Sequence, residues 1–438
     1  MMALSGLRRS RWSSVCGERS RNPPRGRVMA TILLSAGDAS GEAHAAELVR
    51  ALRVRMPETR FVGLGGTEMA AAGVELVADQ RALAIGGFVE IATSVRRIVR
   101  AWRAMMRALR EMKPDLVVLI DSGGFNLPLA RQIRARSDAQ VLYYIAPQVW
   151  AWRAGRLHKL AARTDRIAVL FPFERDFYLD RGVEADLVGH PILDTRVAKP
   201  LAFDTRVRAR STLGIEAKSP LLGILPGSRR NEVVRHLPLQ LAAFARLRDR
   251  EPALADLEAI IGLAPSLDPD WIRALARETG VPGPIRFEPG GQRLLDAIDV
   301  AVAKPGKVTA ELMLRERPMV VIGRAHPLTA WAARRAVEMP WLSLPNLILG
   351  EAIVPELLQG DATPDRIAGA LAPLFGRESV ESRSSGPPRE PSLGGASSSL
   401  AGRKQIEAFR RARARLGEPG ATTRVVGLVE EMLGTARS

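Results

Sequence analysis

One cysteine, Cys16, in 438 residues leaves nothing to build a disulfide framework or a cysteine metal site. That suits a reducing cytosol. No apolar run reaches the ~18 residues that a membrane-crossing helix needs. HExxH, GxSxG and the Walker A pattern are all missing, and the 5 histidines (44, 158, 190, 236 and 326) have no ligand spacing. Asp268-Pro-Asp270 has the outline of a metal-binding Asp-x-Asp. It runs straight into Trp271-Ile-Arg-Ala-Leu, however, and reads as a helix N-cap. No metal and no cofactor are expected.

Charge of one sign is in excess. The formal net charge is +17, and a basic chain raises the idea of a nucleic-acid partner. Part of the excess is local, because residues 1–28 carry seven Arg against one Glu, a net +6. No zinc-finger spacing, aromatic-basic RNA signature or basic-leucine pattern accompanies it. A non-enzymatic nucleic-acid-binding protein therefore stands as the last alternative, and no nucleic acid is expected. Residues 1–28 also lack the apolar core of a secretory signal. They read as a disordered leader or a start placed too early, with Met29 opening a strand.

What is present is a repeated strand, glycine turn and helix. Ala30–Ser35 is a short apolar strand, and Ala36-Gly-Asp-Ala-Ser-Gly-Glu42 turns it into a helix expected from His44 to Arg55. Phe61–Gly66, Lys113–Asp121, Val141–Ala146, Ile167–Phe171 and Ala185–Gly189 continue the series. The pattern restarts at Leu221, with strands near Ala259, Ile285, Val300 and Met319. Strands alternating with helices predict α/β architecture with parallel sheets, here two facing Rossmann-like domains with a cleft between them. The expected boundaries are 29–195 for an N-terminal, acceptor-side domain and 205–376 for a C-terminal one. A low-complexity, disordered linker over 377–403 and closing helices over 404–438 complete the chain. Ligands of such sheets bind beyond the carboxyl ends of the strands, where Asp38, Glu42 and Asp121 lie.

Two turns in the second half have the chemistry of an anion site. Leu225-Pro-Gly-Ser-Arg-Arg-Asn-Glu232 joins a buried strand to a helix, so free N–H groups and Gly227 can approach an anion. Arg229 adds a forked cation suited to phosphate, although an ordinary turn with a surface ion pair has the same residues. Lys304-Pro-Gly-Lys-Val-Thr-Ala-Glu311 makes a similar turn through Gly306. Glu311, one turn into its helix, can accept both hydroxyls of a ribose or simply complement the helix dipole.

One helix differs from the rest. Over 88–110, six arginines alternate with Phe88, Val89, Ile98, Val99, Trp102 and Met105 among other apolar residues. A cationic face beside an apolar one fits peripheral contact with an anionic membrane. A helix packed on the sheet with a solvated Arg face has the same pattern.

Seven strings then occur in a telling order: Gly37-Asp-Ala-Ser-Gly-Glu42, Ile120-Asp-Ser-Gly-Gly-Phe-Asn126, Tyr144-Ile-Ala-Pro-Gln-Val-Trp-Ala-Trp152, Leu170-Phe-Pro-Phe-Glu174, Val188-Gly-His-Pro191, Leu225-Pro-Gly-Ser-Arg229 and Ser343-Leu-Pro-Asn346. Together, from about residue 30 to about residue 375, they resemble the lipid-A-disaccharide synthase family of GT-B glycosyltransferases. The resemblance implies C-terminal helices that cross back to the first domain. It implies inverting transfer of 2,3-diacylglucosamine from UDP to 2,3-diacylglucosamine 1-phosphate, giving the β-1′,6-linked lipid A disaccharide 1-phosphate and UDP. No cofactor is implied. A peripheral protein on the cytoplasmic face of the inner membrane is expected, with a homodimer left open.

Carried onto this sequence, the resemblance assigns Gly227, Ser228, Arg229, Gly306, Glu311 and Asn346 to the UDP-sugar. Asp38, Ser40, Glu42 and Glu90 fall on the acceptor side, and Asp121 is the first choice for general base. Trp150 and Trp152 line an acyl or sugar path or pack in a core. Three departures stand out. The family's Gly-Glu-x-Ser-Gly-Asp has its two acids exchanged in length, its second acid after Asp121 is missing, and Pro305-Gly-Lys307 replaces Ser-Gly-Thr before Glu311. Another UDP-sugar transferase acting on a lipid acceptor is the main alternative, and a nonhydrolysing UDP-sugar epimerase shares the two-domain form.

Overall fold

The computed structural model describes residues 29–83, 91–147, 157–198, 203–325, 341–375 and 399–434. The expectations for 1–28 and 377–398, and for Phe88, Val89, Glu90, Trp150 and Trp152, lie outside those residues. The chain divides into two compact units: one reaches Pro191 and resumes at Glu418, and the other runs from Ile192 to Gly417.

The first unit contains β1 (Thr31–Ala36), α1 (Ala39–Arg55), β2 (Arg60–Gly65), α2 (Thr67–Ala71), β3 (Glu75–Asp79) and α3 (Ile91–Met112). It continues with β4 (Leu116–Ile120), α4 (Gly123–Arg136), β5 (Gln140–Tyr144), α5 (Leu157–Ala161), β6 (Arg166–Val169), α6 (Pro172–Leu179) and β7 (Asp186–Leu187). All its strands run parallel, in the order β3-β2-β1-β4-β5-β6-β7. Every residue of β4 is buried. A parallel strand is covered by helices on both faces, so it reads as an unbroken apolar run rather than an alternation. The edge strand β3 lacks that run, with acids at both ends and Leu76 exposed, and the sequence did not reveal it. The first helix begins at Ala39, well ahead of His44, because Asp38 Oδ1 accepts the Gly41 N–H at 2.8 Å and caps it.

The second unit repeats the plan with α7 (Phe203–Thr212), β8 (Leu221–Leu225), α8 (Arg230–Arg250), β9 (Glu258–Leu263), α9 (Pro269–Glu278), β10 (Ile285–Pro289), α10 (Gln292–Ala297), β11 (Val300–Ala303), α11 (Lys307–Leu314), β12 (Met319–Gly323) and β13 (Glu356–Leu358). Its sheet is parallel too, in the order β10-β9-β8-β11-β12-β13. Asp299, just before β11, is 2% exposed. Its carboxylate takes Arg206, takes Arg210 Nη2 at 2.9 Å and takes the Leu221 N–H at 2.9 Å. Removing that carboxylate would leave two buried guanidiniums without their acid, so α7 is held to the sheet by charge as well as by packing. Asp268 Oδ1 accepts the Asp270 N–H at 2.9 Å and caps α9, as its sequence context suggested.

The helix Leu400–Arg415 belongs to the second unit and the helix Ala421–Met432 to the first. The former starts before the expected end of the low-complexity linker at 403, since Ser399 Oγ accepts the Gly402 N–H at 2.8 Å. The latter is tied to the first unit by Arg55 on Glu430 (3.0 Å twice), by Gln140 Nε2 on Met432 O (2.6 Å) and by Arg424 Nε on Val188 O (2.7 Å).

Helix α3 corrects part of the membrane-facing expectation. Met105 is 0% exposed, inside the core formed with β1, β2 and β4, and therefore cannot touch a bilayer. Trp102 is half-buried and meets Phe125 edge to face at 5.5 Å. The same apolar stripe runs back past Ala101. There Val95 is 52% and Val99 39% exposed and Ile98 is half-exposed, among exposed Arg96, Arg97 and Arg100. Packing thus uses up the C-terminal turns of the stripe and leaves Val95 and Val99 exposed and Ile98 half-exposed.

Candidate functional site

In each sheet the strand order reverses at one place, between β1 and β4 in the first unit and between β8 and β11 in the second. A crevice for ligands opens beyond the carboxyl ends of the strands at such a reversal. The strand ends there carry Gly37-Asp38 and Asp121-Ser122 in one unit, and Pro226–Arg229 and Lys304–Gly306 in the other. Each unit therefore gathers its own share of the sequence candidates.

In the first unit, Asp121 and Ser122 are both left-handed, with φ of 47° and 44°, and Ile145 at the neighbouring β5 end has φ of 58°. For the β-branched Ile145 this is a true outlier that stores strain at the strand end, while Asp121 tolerates the region more readily. Asp121 is held by hydrogen bonds to the main chain. Asp121 N donates to Tyr144 O at 3.1 Å, and Asp121 O accepts from Tyr143 Oη at 2.7 Å and Asn126 Nδ2 at 3.0 Å. Asn126, 0% exposed, also bonds Ser35 and Ile120, so it fastens β1 to β4 under the turn. Burial first, and the Asp121 charge second, push the Tyr143 phenol well above its ordinary value, so it stays a donor. The carboxylate of Asp121 is half-buried on this braced turn.

Asp38 caps α1, and Ser40 is exposed on its first turn. Glu42 needs correction. It is 5% exposed, accepts the Glu68 N–H at 2.7 Å and also takes Gln80 Nε2. Its oxygens fasten the start of α2 and the turn at Gln80, which leaves it holding loops rather than facing an acceptor.

In the second unit, the turn after β8 is built as its sequence implies, with one surprise. Gly227 has φ of 128°, and a Cβ there would stand 2.6 Å from Glu232 Oε2. That oxygen accepts the N–H groups of Ser228 (3.1 Å) and Arg229 (3.3 Å), while Oε1 meets Lys304 Nζ at 2.9 Å. Of the Gly227 and Ser228 main-chain donors expected to hold a diphosphate, that of Ser228 thus already meets a carboxylate, as does that of Arg229. Burial pushes the Glu232 carboxyl up, but the Lys304 bond and the amide donors outweigh it and keep it below its ordinary value. The Arg229 guanidinium points outward, 70% exposed and 4.0 Å from Glu232. Gly306, with φ of 149°, brings the turn after β11 beside Lys304.

Glu311 is paired with Lys307 at 3.5 Å. Burial raises its carboxyl above the ordinary value, and Lys307 only partly opposes the rise. Because folding raises this pKa, the group's contribution to stability is present below its unfolded pKa and is lost as pH rises through the folded one. Glu311→Gln is therefore expected to leave thermal stability at neutral pH unchanged or higher. If the ionised carboxylate accepts ribose hydroxyls, UDP affinity should fall as pH drops through the raised value, and Glu311→Gln should flatten that profile. Calorimetric titration with UDP at several pH values checks both; a wild-type profile unchanged by the substitution removes Glu311 from the ribose.

Asn346 is the second correction. It is 0% exposed, and its amide is fully engaged. Nδ2 donates to Val354 O (2.9 Å) and Glu356 Oε1 (3.0 Å), while Oδ1 accepts from Ile353 N (2.9 Å) and Val354 N (2.8 Å). Glu356 also takes the Ser343 N–H at 2.9 Å and its hydroxyl at 2.6 Å. The Ser-Leu-Pro-Asn string opens the helix Leu344–Leu349 and is bonded to residues 353–356, and its Asn has no hydrogen-bonding capacity left for a donor sugar.

Three residues of this region escaped the sequence reading. Glu232 and Lys304 form the pair just described; the position of Glu232, three residues after Arg229 at a helix start, was the available signal. His236 Nε2 accepts the Arg324 N–H at 2.9 Å, and Nδ1 lies 3.2 Å from Pro226 O. Burial lowers its pKa, so the ring is neutral with the proton on Nδ1, and it clasps the turn after β8 to the end of β12.

Comparison with known proteins follows the same division. Solved structures share the fold at low identity. A Staphylococcus aureus MnaA–UDP complex aligns with a TM-score of 0.59 at 10% identity, covering 93% of this chain and 98% of that one. Acinetobacter baumannii MurG aligns with a TM-score of 0.53 at 16% identity, covering 92% and 99%. Sequence relatives are far nearer. The lipid-A-disaccharide synthase of Myxococcus xanthus is 38% identical over 416 residues, covering 95% of this chain and 99% of the relative. That of Geobacter sulfurreducens is 36% identical over 407 residues, covering 92% and 97%. The family model for lipid-A-disaccharide synthetase matches residues 32–385, which takes in both sheets and both strand-order reversals, and this chain belongs to the lipid-A-disaccharide synthase family.

Proposed function

We propose that this chain transfers 2,3-diacylglucosamine from UDP to 2,3-diacylglucosamine 1-phosphate, forming the β-1′,6-linked lipid A disaccharide 1-phosphate and releasing UDP. The observation that carries the reading is the match to lipid-A-disaccharide synthases over nearly the full length of this chain. In this reading the second unit takes the donor. Arg229 meets the diphosphate and Glu311 the ribose. Charge grows on the leaving diphosphate during transfer, so Arg229 contributes more in the transition state than in the ground state. The first unit takes the acceptor, and Asp121 removes the proton from its 6-hydroxyl as the oxygen attacks the anomeric carbon. A single in-line displacement inverts that carbon.

The test is UDP release from UDP-2,3-diacylglucosamine, with and without the monosaccharide 1-phosphate. Release should depend on the acceptor and be matched by disaccharide. Release without acceptor, or to an unrelated lipid acceptor only, would replace this reading with the broader one.

Among the described residues no helix is long and apolar enough to cross a membrane. Both substrates nonetheless carry acyl chains, so the protein must reach a bilayer surface, here taken to be the cytoplasmic leaflet. The uncovered turns of α3 supply the contact, with Val95, Ile98 and Val99 entering the interface and Arg96, Arg97 and Arg100 meeting anionic headgroups. Changing Val95, Ile98 and Val99 to Ser should abolish flotation with anionic vesicles while UDP affinity is kept. Undiminished flotation sinks the α3 contact.

A further inference from the structure

Beside the Asp121–Ser122 turn, the first unit contains a cavity of ≈ 300 Å³ lined by Gly123, Gly124, Leu127, Pro128, Lys159 and Arg163. No acid lines it. Lys159 and Arg163 have no carboxylate partner among the described residues, whereas Arg134 and Arg166 do. Arg163 Nη1 donates to Leu127 O at 3.1 Å, which fixes its guanidinium at the wall. The other wall is bare backbone: the N–H groups of Gly123 and Gly124 have no acceptor among the described residues, and Ser122 offers no side-chain cap. Lys159, Arg163 and two unmet N–H donors meet at this recess beside the apolar Leu127 and Pro128, a donor set that a compact anion fits.

We infer that this cavity binds a phosphomonoester, the 1-phosphate of the acceptor sugar. The assignment rests on the reading that the first unit takes the acceptor. Lys159 and Arg163 neutralise the phosphate, and the two glycine N–H groups orient it. The phosphate is thereby anchored beside Asp121, and the sugar it carries is fixed with one end in the recess. The anchor is built for the charge at one end of the acceptor, so it selects the 1-phosphate over the free sugar.

Kinetics of the full chain at fixed donor, with 2,3-diacylglucosamine 1-phosphate and with dephosphorylated 2,3-diacylglucosamine, test it. Lys159 is exposed, so Lys159→Met should fold normally. It should raise the KM for the phosphorylated acceptor about tenfold, the change carried by one charge-assisted hydrogen bond. The donor KM should be unchanged, and most of the preference for phosphate should be lost. Lys159→Arg should restore it. A Cβ on Gly124 meets nothing within 4 Å, so Gly124→Leu should fold, fill the recess and have the same effect.

Wild-type KM and preference in both Lys159→Met and Gly124→Leu would overturn the assignment. So would loss of anionic-vesicle binding with phosphate preference intact, which would make the recess a headgroup contact. Titration with glucosamine 1-phosphate reads the recess without transfer. Wild type should bind about tenfold more tightly than Lys159→Met, and equal binding overturns the proposal. Wild type that binds this ligand as expected but transfers no sugar would instead remove the proposed reaction.

Discussion

Asp121→Asn should lower kcat by about 10²- to 10⁴-fold, the range a positioned general base supplies, with the KM for the UDP-sugar nearly unchanged. Asparagine is the right probe for a conformational reason. Position 121 has φ of 47°, a region that Asn and Asp tolerate and most other residues resist. The replacement therefore removes the base and keeps the turn, together with the Tyr143 and Asn126 bonds to its carbonyl. Asp121→Ala would add strain to the loss and confuse the two. Rapid quench of a single turnover separates chemistry from binding. A matched fall in rate and donor affinity would make Asp121 a structural residue.

Arg229→Ala should cost about 10²- to 10³-fold in kcat, as removal of one donor to a charge that develops in the transition state does. With 70% of its side chain exposed and only a 4.0 Å approach to Glu232, Arg229 contributes little to the fold, and melting temperature should hardly move. Arg229→Lys should recover only part of the rate, because an ammonium cannot make the paired contacts of a guanidinium. Steady-state kinetics with circular dichroism decide the matter; near-normal turnover in Arg229→Ala would take the diphosphate away from this residue. The occupied amides of Ser228 and Arg229 sharpen this expectation. With Glu232 on the Ser228 and Arg229 amides, the outward guanidinium is a part of the turn still open to an incoming diphosphate.

Much of the architecture was legible because parallel strands buried on both faces leave continuous apolar runs, several of which end in glycine or an acid, as at Gly65 and Asp121. That places Asp121, Arg229 and Gly306 at the strand ends. The sequence could not tell which polar groups spend their hydrogen bonds internally. Asn346 and Glu42 have the composition of ligand-binding residues, yet one satisfies the 353–356 turn and the other the start of α2. Glu232 shows the reverse, a helix-start acid that occupies the very donors a ligand would seek. In α3 the periodicity correctly gave one apolar stripe, but only the position of the helix over the sheet shows where burial ends, between Ala101 and Val99. The edge strand β3, largely exposed, has no apolar run to betray it, whereas the edge strands β7 and β10 were read.

The path of the chain has a consequence for the order of events in synthesis. Because the helix Ala421–Met432 completes the first unit while residues 192–417 form the second, the earlier-made unit is the later to be finished. The ribosome delivers Asp121 and its turn long before it delivers Glu430 and Met432, the partners of Arg55 and Gln140. Until then the groove between α1 and β5 stands open while the second unit can already close its own core. A stop before Ala421 would thus damage the first unit, leaving an apolar seam exposed on it even though residues 29–191 had all been made.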